Sequence, residues 1–571
     1  MFRRHRDGIF TIDASNGYIT DPIAKKSEEN FVKFAIIGQY IAGIFLYYEQ
    51  IHDMMKLQSD KCRIFEKELK TKMIRIAETE NGKVRGLPAA DPRITSFRGV
   101  PFAAPPVGKN RWRAPQPVSD WEGVRDCLEF APISVQDTPG LGTDLYCREW
   151  HVDPEIPMSE DCLYLNIWTN AGSPDERLPV LVWFFGGGFQ WGYTAEMEFD
   201  GERIARRGIV VVTVNYRLGA FGFLAHPQLT AEQPDAPCNF GSLDQQAGIR
   251  WVKRNIANFG GDPDNITIAG QSAGGGSVLA QMACPDNDGL FDRAVVMSGM
   301  FGSPYEINRF FIPKPLDEAG LLGKKLFDSL GVETLEEARQ LDAYFIREKY
   351  SELRSKGEMF FSIVNDDRFN VGNPIDSFID GSRTRVPVMA GNTGDEFMEF
   401  IHADNDEQLK DLANKYFDDR CDEFLAFPEA HIRTPMGYAP VSAGELGVKA
   451  AFLDEGRLSE PCNCYYYRFV PDIPGDDAPG TFHSCDLWFF FETLAKCTRP
   501  YEGRHYDIAR QMCDYFCNFI KTGDPNGCDL NGNRLPEWRP YTDADRCEME
   551  FTPNGAVPTV ESSGFIKFLL K

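Results

Sequence analysis

Two runs of consecutive apolar residues stand in the middle of the chain. Leu178-Pro179-Val180-Leu181-Val182-Trp183-Phe184-Phe185 and Gly208-Ile209-Val210-Val211-Val212-Thr213-Val214-Asn215 show no alternation with polar positions. Both faces of each run must then be covered, as in the central strands of a parallel sheet. Asn265-Ile266-Thr267-Ile268-Ala269 is a shorter β-branched segment that predicts another buried strand. A helical stretch from Asp244 to Asn258 precedes it, and Gly275 to Ala283 can run as a helix after it. Strand then polar turn recurs at Val386 to Phe397, and strand then loop from Cys464-Tyr465-Tyr466-Tyr467-Arg468-Phe469-Val470 to Asp486. Thr95 to Ala103 and Pro105 to Gly108 are turn-rich edge material. The alternation predicts an α/β architecture with a large, mostly parallel sheet flanked by helices.

Residues 1–71 have a different texture. Phe31, Phe34, Ile37, Ile41, Ile44, Phe45, Tyr48, Ile51 and Met55 recur at helical spacing, and a second helical run covers Ile64 to Leu69. This predicts a helical N-terminal extension, packed on the main body (72–571) or on a partner subunit, where it could build a homodimer. The apolar stretch Phe34 to Tyr48 is shorter than a membrane span and is interrupted by Gly38, Gln39 and Gly43. The basic start at Arg3-Arg4-His5-Arg6 is followed by no apolar h-region, so no secretory signal is read there.

A chain of 571 residues that is 43% apolar and 13% aromatic can bury a large core. Its net charge of -25 disfavours nucleic acid and anionic membrane surfaces as partners. Fifteen cysteines, an odd number without dense spacing, fit reduced thiols in a cytoplasm better than a disulfide framework. A length prior would divide such a chain into several domains. Motifs that must meet at one site argue instead for one large domain.

The chemistry centres on Gly270-Gln271-Ser272-Ala273-Gly274, between the predicted strand and helix. A serine on such a tight turn exposes its oxygen, and flanking glycines are needed where a Cβ would clash. The following helix aims its N-terminal N–H groups at any oxyanion formed there. Serine needs a base and an oxyanion site before it attacks. The strand ending at Phe185 opens into Gly186-Gly187-Gly188-Phe189, where successive backbone N–H groups can face a substrate; the Ala273 N–H adds a third donor. With the order serine, acid, histidine, the base is sought among His402, His431, His483 and His505. His483, in a strand-end loop, is favoured. Asp395 and Glu396 are both candidate acids, and spacing does not choose between them. Cys462 and Cys464 with His483 and Cys485 resemble a zinc ligand set by residue type, but ordinary thiols on one strand face do the same. No metal and no cofactor is expected.

Ser159-Glu160-Asp161-Cys162-Leu163-Tyr164-Leu165-Asn166, Gly186-Gly187-Gly188-Phe189, Asn215-Tyr216-Arg217-Leu218-Gly219 and the serine turn together resemble the type-B carboxylesterase/cholinesterase family of α/β-hydrolases. The resemblance covers residues 75 to 565. It implies the α/β-hydrolase fold and a serine esterase acting on a small-molecule ester, with Ser272 as nucleophile, Glu396 as acid and His483 as base. The oxyanion donors it implies are the N–H groups of Gly187, Gly188 and Ala273. Phe189 and Trp191 are expected to bind substrate, while Phe185 and Trp488-Phe489-Phe490-Phe491 could wall the pocket or belong to the core. Non-catalytic relatives of the fold typically lose a triad residue, and here all three positions are filled. Gln271 stands where most members carry glutamate, which removes a charge beside the serine without touching the mechanism. Phe397 replaces the usual glycine after the acidic pair. Secreted relatives pair the cysteine matching Cys162 with an upstream one. Cys127 and Cys147 lie upstream without occupying the family position, and the pairing is left open. Trp150 is offset from the choline-binding tryptophan of cholinesterases, so choline specificity is not supported.

Overall fold

The two long apolar runs lie side by side in one sheet. In the computed structural model the described residues are 73–301, 312–396, 403–434, 437–438, 442–561 and 564–570. The extension expected over residues 1–71 and the turn residue Phe397 lie outside them. The strands of the main sheet are β1 (Leu87–Pro88), β2 (Thr95–Pro101), β3 (Tyr164–Thr169), β4 (Leu178–Phe184), β5 (Val210–Val214), β6 (Gly261–Gln271), β7 (Arg293–Met297), β8 (Val388–Thr393), β9 (Cys464–Phe469), β10 (Cys547–Thr552) and β11 (Gly555–Val560). Among the described residues their spatial order is β11-β10-β9-β8-β7-β6-β4-β5-β3-β2-β1. From β5 through β10 every neighbouring pair is parallel. The pairs outside this block are antiparallel. The expected edge segment Thr95 to Ala103 thus supplies β2, second from one edge.

Period-two geometry explains why the central strands are apolar throughout. On β4, Leu181 and Trp183 enter one hydrophobic cluster, while Val180, Val182 and Phe184 enter the other. Ala269 of β6 faces the first cluster and Ile266 and Ile268 the second. Each strand therefore feeds two cores, one on either face of the sheet. Phe185 and Trp488 to Phe491 belong to the first of these cores.

The helices α1 (Phe240–Asn255) and α2 (Ala273–Ala283) flank the centre. The segment after β5 ties them to the strands. Arg217 Nε and Nη2 each donate to a different oxygen of Asp244 on α1 at 2.7 Å. Both side chains are buried, with 3% and 0% exposed. Next to it the Tyr216 hydroxyl donates to the Phe185 carbonyl at 2.7 Å, and Gly219 N–H donates to the Phe189 carbonyl at 2.7 Å. The Asn-Tyr-Arg-Leu-Gly segment thus grips the glycine loop that leaves β4. Arg111 and Glu160 form a second two-bond pair, at 2.6 Å for each bond.

Removing one partner of a buried, doubly bonded ion pair leaves a charge without compensation, at about 3–5 kcal/mol. Asp244→Ala is expected to lower stability by that order, read as a shift of the urea unfolding midpoint. An unchanged midpoint would show that Arg217 is satisfied by other means.

Candidate active site

Ser272 sits between β6 and α2 with φ 57 and ψ -125, a positive-φ conformation that costs a non-glycine residue about 1–3 kcal/mol. Surrounding backbone holds it there. Ser272 N–H donates to the Met297 carbonyl of β7 at 2.9 Å, and Gly276 N–H donates to the Ser272 carbonyl at 2.9 Å. A Cβ on Gly270 would lie 2.3 Å from the Gly274 carbonyl oxygen, and one on Gly274 would lie 2.1 Å from that of Phe184. The glycines are required by backbone-to-backbone approach. The helix starts at Ala273 itself, two residues before the predicted Gly275, so Ala273 has a first-turn N–H without an intrahelical acceptor.

The glycine loop leaves β4 directly beside this turn. Gly187 and Gly188 have φ 99 and 60, and a Cβ on Gly187 would meet the Trp191 carbonyl at 2.2 Å. The Gly187 carbonyl accepts from Gln190 and Trp191 N–H at 2.9 and 3.0 Å. Its turned-back carbonyl frees the opposite side of the peptide chain. The Gly187 and Gly188 N–H groups donate to no acceptor among the described residues.

Glu396 and His483 come from the loops after β8 and β9. Their loops are laced together by Asp395, which accepts from Thr481 N–H at 2.7 Å and Thr481 Oγ1 at 3.0 Å. Asp395 N–H in turn donates to the Thr481 carbonyl at 3.1 Å. The adjacent residue then faces the other way: Glu396 Oε1 is hydrogen-bonded to His483 Nδ1. Its side chain is 1% exposed, and Thr393 Oγ1 donates to its other oxygen at 3.3 Å. Of the two candidate acids, the structure brings Glu396 to the imidazole and uses Asp395 as a loop tie. The remaining histidine candidates are occupied differently. His431 Nε2 bonds the Leu425 carbonyl, and His505 bonds the Asp472 carbonyl and the backbone N–H of Glu502. His402 lies outside the described residues.

Ser272, His483 and the loop Gly186 to Gly188 line one cavity of about 860 Å³. Trp191 forms part of its wall, with the Arg354 guanidinium 4.4 Å above the ring. Phe189 is placed differently: its ring packs on Phe223 at 5.0 Å and lines a separate, narrower cavity with Leu279 and Phe301. Sequence reasoning missed several residues of the large cavity. Tyr146 and Trp150 line it from the segment before the Ser-Glu-Asp-Cys motif, and Phe199, Phe360 and Leu487 complete the apolar wall. No periodic pattern marked that segment, whose only regular element is the five-residue helix Leu145–Glu149.

One end of the cavity is polar. His151 Nδ1 lies 2.8 Å from Glu196 Oε1. Burial opposes the charged ring, but the Glu196 carboxylate outweighs it and raises the His151 pKa. Glu198 is 1% exposed, and neither carboxyl oxygen has a hydrogen-bond partner among the described residues. Burial first, and then the neighbouring Glu196, push its pKa well above the usual carboxyl range. Cys464 and Cys485 are buried free thiols whose pKa values burial raises. Among the described residues no cluster of three His, Cys, Asp or Glu side chains is arranged to hold a metal ion. Cys127, Cys147 and Cys162 are free thiols. None of the described helices is long and apolar enough to cross a membrane.

Known proteins resemble this chain in sequence and fold. The model of the carboxylesterase family matches residues 74–431 and 449–565. The para-nitrobenzyl esterase of Bacillus subtilis (strain 168) is 30% identical over 460 residues, which is 79% of this chain and 90% of that one. A cholinesterase of Mus musculus is 41% identical over 240 residues, 41% of this chain and 38% of that protein. Among solved structures, the carboxylesterase EST55 of Geobacillus stearothermophilus superposes with a TM-score of 0.69 at 28% identity, covering 87% of this chain and all (100%) of that one. A PNB esterase structure gives 0.68 at 27% identity, covering 87% and 99% of the two chains. A strained serine turn beside a glycine loop, on a sheet shared with these enzymes, identifies the chain as a member of the carboxylesterase family, with the α/β-hydrolase fold and carboxylic ester hydrolase activity.

Proposed function

We propose that hydrolysis runs through an acyl-enzyme on Ser272, with His483 as base, Glu396 as its carboxylate partner, and the N–H groups of Gly187, Gly188 and Ala273 as oxyanion donors. The observation that carries this reading is the bond from His483 Nδ1 to Glu396, made in the same cavity that Ser272 lines. With Nδ1–H donated to Glu396, Nε2 is the basic nitrogen of the ring. It takes the Ser272 hydroxyl proton as Oγ bonds to the ester carbonyl carbon. The oxyanion collects the backbone N–H bonds, each worth about 10²–10³ in rate. His483 returns the proton to the departing alcohol as the C–O bond breaks, and then activates the water that releases the acid.

The substrates are small to medium esters with an apolar or aryl group. The aromatic wall of Trp150, Trp191, Phe199 and Phe360 supports this class. Trp191, on the wall of the cavity that Ser272 lines, contacts the substrate, and Phe189 shapes the region behind the glycine loop with Phe301, whose ring lies 6.3 Å from His483. The reduced thiols support a cytoplasmic enzyme. The apolar spacing of residues 1–71 supports a helical extension that packs on the main body or pairs two copies.

Ser272→Ala, verified as folded by its thermal midpoint, is expected to lose on the order of 10⁴-fold or more of kcat for aryl acetate or butyrate hydrolysis. It should also lose labelling by a fluorophosphonate probe. Retained turnover would overturn the nucleophile assignment. The two acids are separable by the same assay. Glu396→Gln should lower kcat by on the order of 10⁴-fold, because an amide cannot hold the imidazolium. Asp395→Asn should cost about 1–3 kcal/mol of stability through the loop tie and leave kcat within roughly tenfold. The reverse ranking would reassign the acid.

A further inference from the structure

Gln271 ends β6 with its side chain 2% exposed. Its carboxamide reaches across to the histidine loop. Nε2 donates to Ser484 Oγ at 2.8 Å and lies 3.2 Å from His483 Nε2. The carbonyl Oε1 turns toward Gly186, 3.1 Å from where a Cβ would stand there. An amide NH₂ has two donors and no acceptor, and the neutral His483 ring has a bare lone pair at Nε2. With the ring proton on Nδ1, toward Glu396, Gln271 donates at this contact and His483 accepts.

We propose that Gln271 is a positioning residue for His483, its carboxamide holding the Nε2 lone pair in the resting enzyme and yielding it to the Ser272 hydroxyl when an ester is bound. The inference rests on the reading of His483 as the base that serves Ser272. Bond accounting favours the exchange. When the Gln271 N–H lets go of Nε2, its other N–H stays on Ser484 Oγ, so the buried amide keeps an anchor. Ser484 itself has φ 78, a conformation that presents its hydroxyl to this position.

The arrangement also sets the charge preference of the ring. A donor on the lone pair stabilises the neutral imidazole; protonation at Nε2 would set N–H against N–H and break the bond. A glutamate at this position, the residue most of the family carries, would instead accept from the imidazolium and favour its charged form. The replacement of Glu by Gln then does touch the mechanism, through the imidazole, in addition to removing a charge beside the serine. The other groups facing His483 are unaltered by a change at residue 271. Glu396 holds Nδ1, and the Tyr146 hydroxyl donates to the His483 carbonyl at 3.4 Å. Behind the ring, the Asp486 carboxyl is pushed up to about 7 by burial, against the hydrogen bond from the Tyr467 hydroxyl. The neighbouring Cys485 is a buried thiol with a raised pKa.

The test compares wild type, Gln271→Glu and Gln271→Met in kcat/KM against pH for an uncharged aryl ester, with active sites counted by fluorophosphonate labelling. Gln271→Glu should move the acid limb upward by about one pH unit, as expected for a carboxylate in contact with an imidazole. Gln271→Met should move it in the same direction by less, because it removes the donor without adding a charge. A limb unmoved in both variants, with rates lowered equally at every pH, would reduce Gln271 to a packing residue and overturn the proposal. Should Gln271→Glu not fold, the Met variant decides alone: an upward shift supports the proposal and an unmoved limb overturns it. Wild-type enzyme that fails to label would remove the nucleophile reading and this inference together, whereas an unmoved limb in labelled variants removes only the inference.

Discussion

The structure turns on how closely the end of β6 approaches the end of β4. At the serine turn, backbone touches backbone: the positions a Cβ would take on Gly270 and Gly274 lie within 2.3 Å and 2.1 Å of carbonyl oxygens. Side chains are excluded there because two strand ends and a helix start share one small volume. That closeness brings the glycine loop, which continues β4, within reach of the serine. It also forces Ser272 to positive φ, and the strain is held by the hydrogen bond to Met297 on the neighbouring β7. The loop needs its own restraint, and the segment after β5 provides it through Tyr216, Gly219 and the Arg217–Asp244 pair.

Much of this was legible in the chain, for physical reasons. Strands covered on both faces must be apolar throughout, so β4 and β5 declare themselves in the sequence. Gly270 and Gly274 of the serine turn and Gly187 of the glycine loop are visible because a Cβ there would meet a backbone carbonyl. The start of α2 was less legible. Gly274, Gly275 and Gly276 are poor helix formers, at about 1 kcal/mol each relative to alanine, yet they are helical. Tertiary contact overrides propensity there, since Gly275 packs against Gly299 with 2.9 Å between its would-be Cβ and the Gly299 Cα.

The choice between Asp395 and Glu396 was not legible from spacing, because both sit on the same turn. What separates them is that Thr481 occupies one carboxylate and His483 the other. Phe189 illustrates the opposite difficulty. At φ 63 its ring is carried against Phe223 and lines a narrower cavity than the one Ser272 lines, a placement that spacing beside a glycine loop does not foretell. The polar end of the large cavity, His151 with Glu196 and Glu198, left no trace at all in the pattern. His151 stands 45 positions from Glu196 and 47 from Glu198, and they meet only through the path of the chain.

The order in which the sheet is assembled has a consequence for the newly made chain. Ser272 and its oxyanion loop lie in the first half of the sequence, but the histidine loop follows β9, and β9 needs β10 beside it to complete its parallel pairing. On the proposed mechanism, a polypeptide made only as far as the serine turn carries the nucleophile without the histidine that would serve it. Under that mechanism ester cleavage begins only once the histidine loop and the strands β9 and β10 that carry it have been made, so turnover in a translation mixture would count finished molecules and not partial ones.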